Sequence, residues 1–383
     1  MARIKTKLSK NFHFKAGMVL AGALVLGGAS WSMTQIYGSV SDGLLRTTPA
    51  VVEEAPKPKH VKTPEAVKAI YMSSWVAGTK EWRAELVEFV KKSELNSIVI
   101  DVKDYTGRVS FDTENQKIKE TGSEEVRVKD MKDFVETLHD AGIYAIARVT
   151  VFQDPYYSKK HLDQAVQKKN GTIWKDKKGL SYLDPGAREF WNYIIEIAKA
   201  SEAAGFDELN FDYIRFPSDG NMRDIAYPIS KNRNKVEALT EFFAYLNNAL
   251  SDLPVPISAD VFGMTTTNYD DLNIGQVLES IAPYFDYIAP MVYPSHYPPT
   301  FQGYKNPAAH PYEIVYFAMS KAVLRLSAPT STPSKLRPWL QDFDLGINYG
   351  AAEVEAQKKA VYDSGLTSWM IWDAGNKYTR EAY

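Results

Sequence analysis

The chain has 383 residues, 45 % of them hydrophobic and 13 % aromatic, which is enough apolar side chain for a large core and too much for a disordered chain. Its formal net charge of −2 gives no overall attraction to nucleic acid or acidic membranes, so no nucleic-acid partner is expected. It has no cysteine, which excludes disulfides, thiolate nucleophiles and cysteine-based zinc sites.

The N-terminus MARIKTKLSKNFHFK is basic, and residues 16–33 follow without a charge. A membrane span needs about 17–25 apolar residues, so this run is at the short end. It reads as a secretory signal peptide or a signal anchor over residues 1–38, with its basic side in the cytoplasm. Gly27, Gly28 and Ala29 offer a small-residue exit for cleavage. Residues 39–66, rich in Pro, Lys, Glu and Thr, read as an extended linker. The expectation is export: the rest of the chain is held on the extracellular side of the cell membrane, with the membrane as a partner, or is secreted.

From residue 67 to 383 apolar strand-like runs alternate with helical stripes. The runs cover residues 69–75, 97–104, 144–150, 208–217, 256–263, 285–294, 336–344 and 368–374. Between them Trp82, Leu86, Phe89 and Val90 keep helical spacing, as do Met131, Phe134, Val135 and Leu138. The clearest stripe is Val236, Leu239, Phe242, Phe243, Leu246 and Leu250. Further helices are expected over residues 187–203, 276–281, 311–326 and 351–364. Gly142, Gly205 and Gly365 stand where a left-handed cap ends a helix before the next strand. Eight strand–helix units predict a single α/β domain, a (β/α)8 TIM barrel. A doubly wound open sheet is the alternative, but no G-x-G-x-x-G follows an early strand.

In such a barrel the strand ends build the site at the C-terminal mouth. Polar residues recur there. The second run ends IDVKD, with Asp101, Lys103 and Asp104. The third carries Arg148. The fourth reads LNFDYIRFP, with Asp212, Arg215 and the proline expected to stop the strand. The fifth carries Asp260, the sixth Tyr293 and His296, the seventh Gln341 and Asp342, and the eighth Trp372, Asp373 and Asn376. Such a ring suits glycosidic cleavage, which needs two carboxyl groups across one bond. Asp212 beside Arg215 is the expected ionised partner, because a neighbouring cation lowers a carboxyl pKa. Asp260, between the apolar flanks ISA and VFG, is the expected acid. Asp101, Lys103, Arg148, Arg215, Tyr293, His296, Gln341, Asp342, Trp372 and Asp373 are candidate substrate contacts, and Asp101 and Lys103 are placed to pair with each other. Trp174, Tyr182 and Tyr297 are further stacking candidates, whereas Asp154 and Asp184, each before a proline, read as turn residues. The six histidines show no H-E-x-x-H spacing, and neither a P-loop nor G-x-S-x-G occurs. No metal or other cofactor is therefore expected.

The segments FDYIRFP, IDVKD, SADVFG, MVYPSHY and RPWLQDF together resemble a family of bacterial glycoside hydrolase domains of envelope proteins, distantly similar to the alpha-amylase superfamily. The resemblance covers residues 68–376. It implies a barrel and a glycosidase, and it does not supply the substrate. In that superfamily the nucleophile is an Asp ending strand four, a place Asp212 matches. The acid is a Glu ending strand five, where this chain has the shorter Asp260. The expected function is hydrolysis of an envelope or extracellular polysaccharide by two carboxylates. A noncatalytic carbohydrate-binding barrel tethered at the membrane is the alternative.

Overall fold

A computed structural model describes residues 58–327 and 332–383. The expected signal or anchor segment and most of the expected linker lie outside the described residues. The end of that linker lies inside them and is fastened: Val61 N donates to Asp207 Oδ1 at 2.7 Å, and His60 Nε2 is 3.0 Å from Glu202 Oε1. Among the described residues no helix is long and apolar enough to cross a membrane.

Eight strands are the frame: β1 Lys68–Met72, β2 Ser97–Lys103, β3 Tyr144–Thr150, β4 Glu208–Asp212, β5 Ile257–Phe262, β6 Tyr287–Met291, β7 Trp339–Gln341 and β8 Trp369–Trp372. All pair in parallel in chain order, and β8 closes on β1 with Ala69 opposite Met370. That closure excludes the open sheet. Each crossover contributes at least one helix, among them α1 Lys80–Lys91, α2 Met131–Asp140, α3 Arg188–Ala203, α4 Lys235–Leu250, α5 Leu278–Ile281, α6 Pro311–Leu326 and α7 Ala351–Asp363.

The strands are buried on both faces, as a parallel barrel under helices requires. In β2, Ile98, Ile100 and Val102 pack in the outer layer with Phe134 and Leu138 of α2, whereas Val99 packs inside with Tyr71, Tyr144, Ile146 and Met370. The same period of two brings charged residues into the barrel interior. At its N-terminal end Arg337 donates to Glu208 Oε2 at 2.7 Å, Tyr144 Oη donates to the same oxygen at 3.1 Å, and the Arg337 guanidinium covers the Tyr287 ring at 3.1 Å. This ion pair closes the floor.

β4 ends at Asp212, earlier than the expected stop at Pro217. Tyr213 takes φ 55°, a left-handed conformation uncommon for an aromatic residue, and this turns the chain out of the barrel. The loops after β3 and β4 then join. Gln167–Lys168 and Ile225–Ala226 form a two-stranded antiparallel ribbon, and Val166, Trp174 and Tyr182 make a small core against which Tyr213, Met222, Ile225 and Tyr227 pack.

Candidate active site

At the C-terminal mouth three carboxyl groups gather around one cation. Arg148, from β3, donates through one terminal nitrogen to Asp101 Oδ1 at 2.5 Å and through the other to Asp212 Oδ2. Its Nε is 3.6 Å from Asp260 Oδ2 and makes no hydrogen bond. The register explains the meeting. Asp101 lies opposite Arg148, Arg148 opposite Asn210, and Asn210 opposite Ser258, so Asp212 and Asp260, each two residues further along, point the same way on adjacent strands. Because both approach one rigid guanidinium, the carboxyl groups of Asp212 and Asp260 stand no more than about 8 Å apart, short of the outer limit of about 9.5 Å for a pair acting across one glycosidic bond.

The two carboxyl groups have different surroundings. Asp212 Oδ1 accepts the backbone N–H of Tyr213 at 2.5 Å. Asp260 is 1 % exposed, and its Oδ1 accepts from Asn210 Nδ2 at 2.9 Å and from Trp339 Nε1 at 2.8 Å. Both known donors use the same oxygen and leave Oδ2 free for a proton. Burial, followed by the charge of Asp212, pushes the Asp260 carboxyl up to about 8. Burial also raises Asp101, against the pull of Arg148 and a hydrogen bond from Tyr71 Oη at 2.5 Å. The arrangement can hold a proton on one carboxyl while a second, two-donor carboxylate lies beside it.

The wall around these groups is aromatic. Trp372 stacks on Tyr71 with ring centres 4.0 Å apart and lies 4.9 Å from the Arg148 guanidinium. Burial and the charges of Asp260 and Asp212 raise the Tyr293 phenol. His296 packs edge-on against Tyr293, with ring centres 5.2 Å apart, and burial and the Lys178 charge lower its pKa.

Several expected contacts fall elsewhere. Arg215 does not pair with Asp212; it donates to the Phe216 carbonyl at 3.1 Å and covers the rings of Tyr213 and Phe262. Lys103 does not pair with Asp101. The register of β2 shifts between them, and Lys103, fully buried, bonds Asp154 at 2.9 Å and the Thr150 carbonyl at 2.6 Å. Asp154 is thus more than a turn residue, although it also accepts from Tyr156 N and Tyr157 N. Asp184 does hold a turn, accepting from Gly186 N, Ile229 N and Ser230 N. Gln341 is fully buried, and its side chain holds Ser295 and the Phe343 carbonyl. Asp342 fastens the C-terminal tail through Thr379 and Tyr383. Asp373 accepts from Gly375 N and Lys377 N within its own turn. Trp174, Tyr182 and Tyr297 are buried and offer no face to a sugar. Sequence reasoning missed Asn210, Trp339, Tyr71 and Tyr213. Period-two spacing from Asp212 would have found Asn210 within the same strand.

A closed parallel barrel with a carboxyl cluster at its C-terminal mouth defines a (β/α)8 protein with the geometry of a hydrolytic site. Residues 69–378 match the family described as "Putative glycosyl hydrolase domain". The chain belongs to that family and is a glycosidase by class. No curated protein matches it. Among solved structures it is similar to the glycoside hydrolase domain of PgaB (BpsB) from Bordetella bronchiseptica, at 15 % identity over 85 % of this chain and 98 % of that one, with a TM-score of 0.60. It is also similar to alpha-L-fucosidase isoenzyme 2 from Paenibacillus thiaminolyticus, at 10 % identity over 83 % of this chain and 48 % of that one, TM-score 0.57. A third is TtGalA, an alpha-galactosidase from Thermus thermophilus, at 12 % identity over 85 % of this chain and 61 % of that one, TM-score 0.52. At these identities the likeness is one of fold.

Proposed function

We propose that the protein hydrolyses glycosidic bonds of an envelope or extracellular polysaccharide, with Asp260 as proton donor and Asp212 as its anionic partner. The observation that carries this reading is the pair itself: two carboxyl groups on adjacent strands beside one buried guanidinium, one of them pushed up to about 8. Asp260 gives its proton to the leaving oxygen as the glycosidic bond breaks. Asp212 either bonds to the sugar carbon, for later release by water, or takes a proton from the attacking water. Arg148 orients both, and Trp372 and Tyr293 form the wall beside the sugar. The test is turnover by the full-length protein on a set of polysaccharides, with NMR of the first-formed anomer separating retention from inversion. Asp212→Asn and Asp260→Asn should each lose about 10²-fold or more in kcat. Wild-type turnover by either variant would remove that residue from the mechanism.

We infer further that the barrel works outside the cytoplasm, anchored or secreted. The basic head and the charge-free run of residues 16–33 support this. Alkaline phosphatase fused to the C-terminus reports it, being active only after export. An inactive fusion overturns the inference.

A further inference from the structure

The loop after β3 departs from the charge balance of the chain. Residues 167–179, QKKNGTIWKDKKG, contain five lysines and one acid, against −2 for the whole protein. All five, Lys168, Lys169, Lys175, Lys177 and Lys178, are exposed. Among the described residues no carboxylate lies within 4.0 Å of any of their ammonium groups, whereas Lys68, Lys117 and Lys359 each hold an acid. The single acid of the loop, Asp176, is spent on its own turn, accepting from Lys178 N at 2.9 Å and Leu180 N at 2.8 Å.

This loop is built and positioned. Trp174 and Tyr182 bury their rings under it, and Trp174 Nε1 donates to the Asn221 carbonyl at 3.0 Å. Gly220 comes so close to the Trp174 ring that a Cβ would lie 2.6 Å from it. Tyr213 packs on this small core directly after Asp212, so the lysines sit on the flank of the candidate catalytic pair. The Lys178 charge reaches His296 on the rim beyond β6. An uncompensated positive surface beside a cleft raises the local concentration of anions.

We propose that the substrate is an anionic polysaccharide, one whose repeating units carry carboxylate or phosphate groups, and that the 167–179 loop binds those groups next to the cleaved bond. The proposal rests on the hydrolytic reading and names its substrate class. The anionic groups belong to units flanking the cleaved one. At the mouth itself three carboxyl groups share one guanidinium, and another anion there would be repelled.

The test measures binding, so that it stands apart from turnover. Full-length Asp212→Asn protein is titrated with polygalacturonate and a phosphomannan, and with their uncharged counterparts, fully methyl-esterified polygalacturonate and mannan. At least one charged polymer should bind about tenfold tighter than its neutral counterpart and weaken as salt rises. Adding Lys175→Glu, Lys177→Glu and Lys178→Glu should remove about tenfold or more of that affinity, with circular dichroism confirming the fold. Equal binding of charged and neutral polymers, binding of neither charged polymer, or an unaltered triple variant overturns the proposal. So does binding only to phosphatidylglycerol vesicles, which would make the loop a membrane contact. Binding of a charged polymer by a parent protein that cleaves no polysaccharide leaves the loop as an anion-binding surface beside the mouth and removes the hydrolytic reading instead.

Discussion

The two ends of the barrel treat buried charge in opposite ways. At the floor Arg337 meets one acid, Glu208, and both are almost fully buried with a tyrosine hydroxyl completing the set. At the mouth Arg148 meets three, Asp101, Asp212 and Asp260. An acid-rich cluster relieves itself by keeping a proton, and burial pushes up both Asp101 and the most enclosed acid, Asp260, the latter to about 8. The floor is built for stability, and the mouth holds a group poised to give up a proton near neutral pH.

That contrast predicts a double dissociation. Asp212→Asn should lose about 10²-fold or more in kcat, while the thermal midpoint stays at or above that of the parent. Removing one charge from an acid-rich cluster relieves repulsion, and Arg148 keeps Asp101. Calorimetry and turnover on the same preparation check this. A large loss of stability would make Asp212 a structural ion-pair partner. At the floor the signs reverse. Glu208→Gln leaves the Arg337 guanidinium buried without its anion, which should cost about 3–5 kcal/mol in denaturant unfolding, with turnover per folded molecule unchanged.

Stability against pH sharpens the comparison. Asp260 titrates at about 8 in the folded protein and near its ordinary 3.8 when unfolded. Between those values the folded state holds a proton that the unfolded state has released. The contribution of Asp260 is therefore complete below about pH 4, falls by about 1.4 kcal/mol per pH unit, and is lost above about pH 8. From pH 5 to 7 the parent should lose about 3 kcal/mol relative to Asp260→Asn, which cannot ionise. Parallel denaturation curves for the two proteins across this range would show that Asp260 is not protonated in the folded state.

The barrel could be read from the chain because its strands, apolar on both faces, alternate with amphipathic helices, and each glycine before a strand stands where a helix must end. The acids of the mouth could be read because they recur at one end of successive strands. Their partners could not. Pairing inside a barrel runs across strands, so the cation for Asp212 is Arg148, on the neighbouring strand and far away in sequence, whereas Arg215, three positions on, is carried off by the turn at Tyr213. A register shift in β2 likewise sends Lys103 to Asp154. Both departures are local backbone events that a pattern of residue types does not encode. Asp342 and Gln341 met the expectation of a polar strand end, yet they serve the tail and a loop. A strand end supplies both the site and its supports, and only geometry separates them.

Arg215 makes the smallest and most discriminating test. Its guanidinium lies 5.0 Å from the Tyr213 ring centre and 4.6 Å from that of Phe262, and it bonds a backbone carbonyl. Arg215→Met keeps much of the packed volume and removes one hydrogen bond and two ring contacts, so it should cost about 1–2 kcal/mol of stability. The proton on Asp260 is governed by burial, Asp212 and Arg148. The basic limb of kcat/KM, expected near pH 8 where Asp260 loses that proton, should therefore stay in place in Arg215→Met. Arg148→Met should shift it upward, because the cation that favours the ionised form is gone. A limb that moves as far in Arg215→Met as in Arg148→Met would mean that the residue three places along the chain does share the charge of the mouth, and that the division between the two arginines drawn from their contacts is wrong.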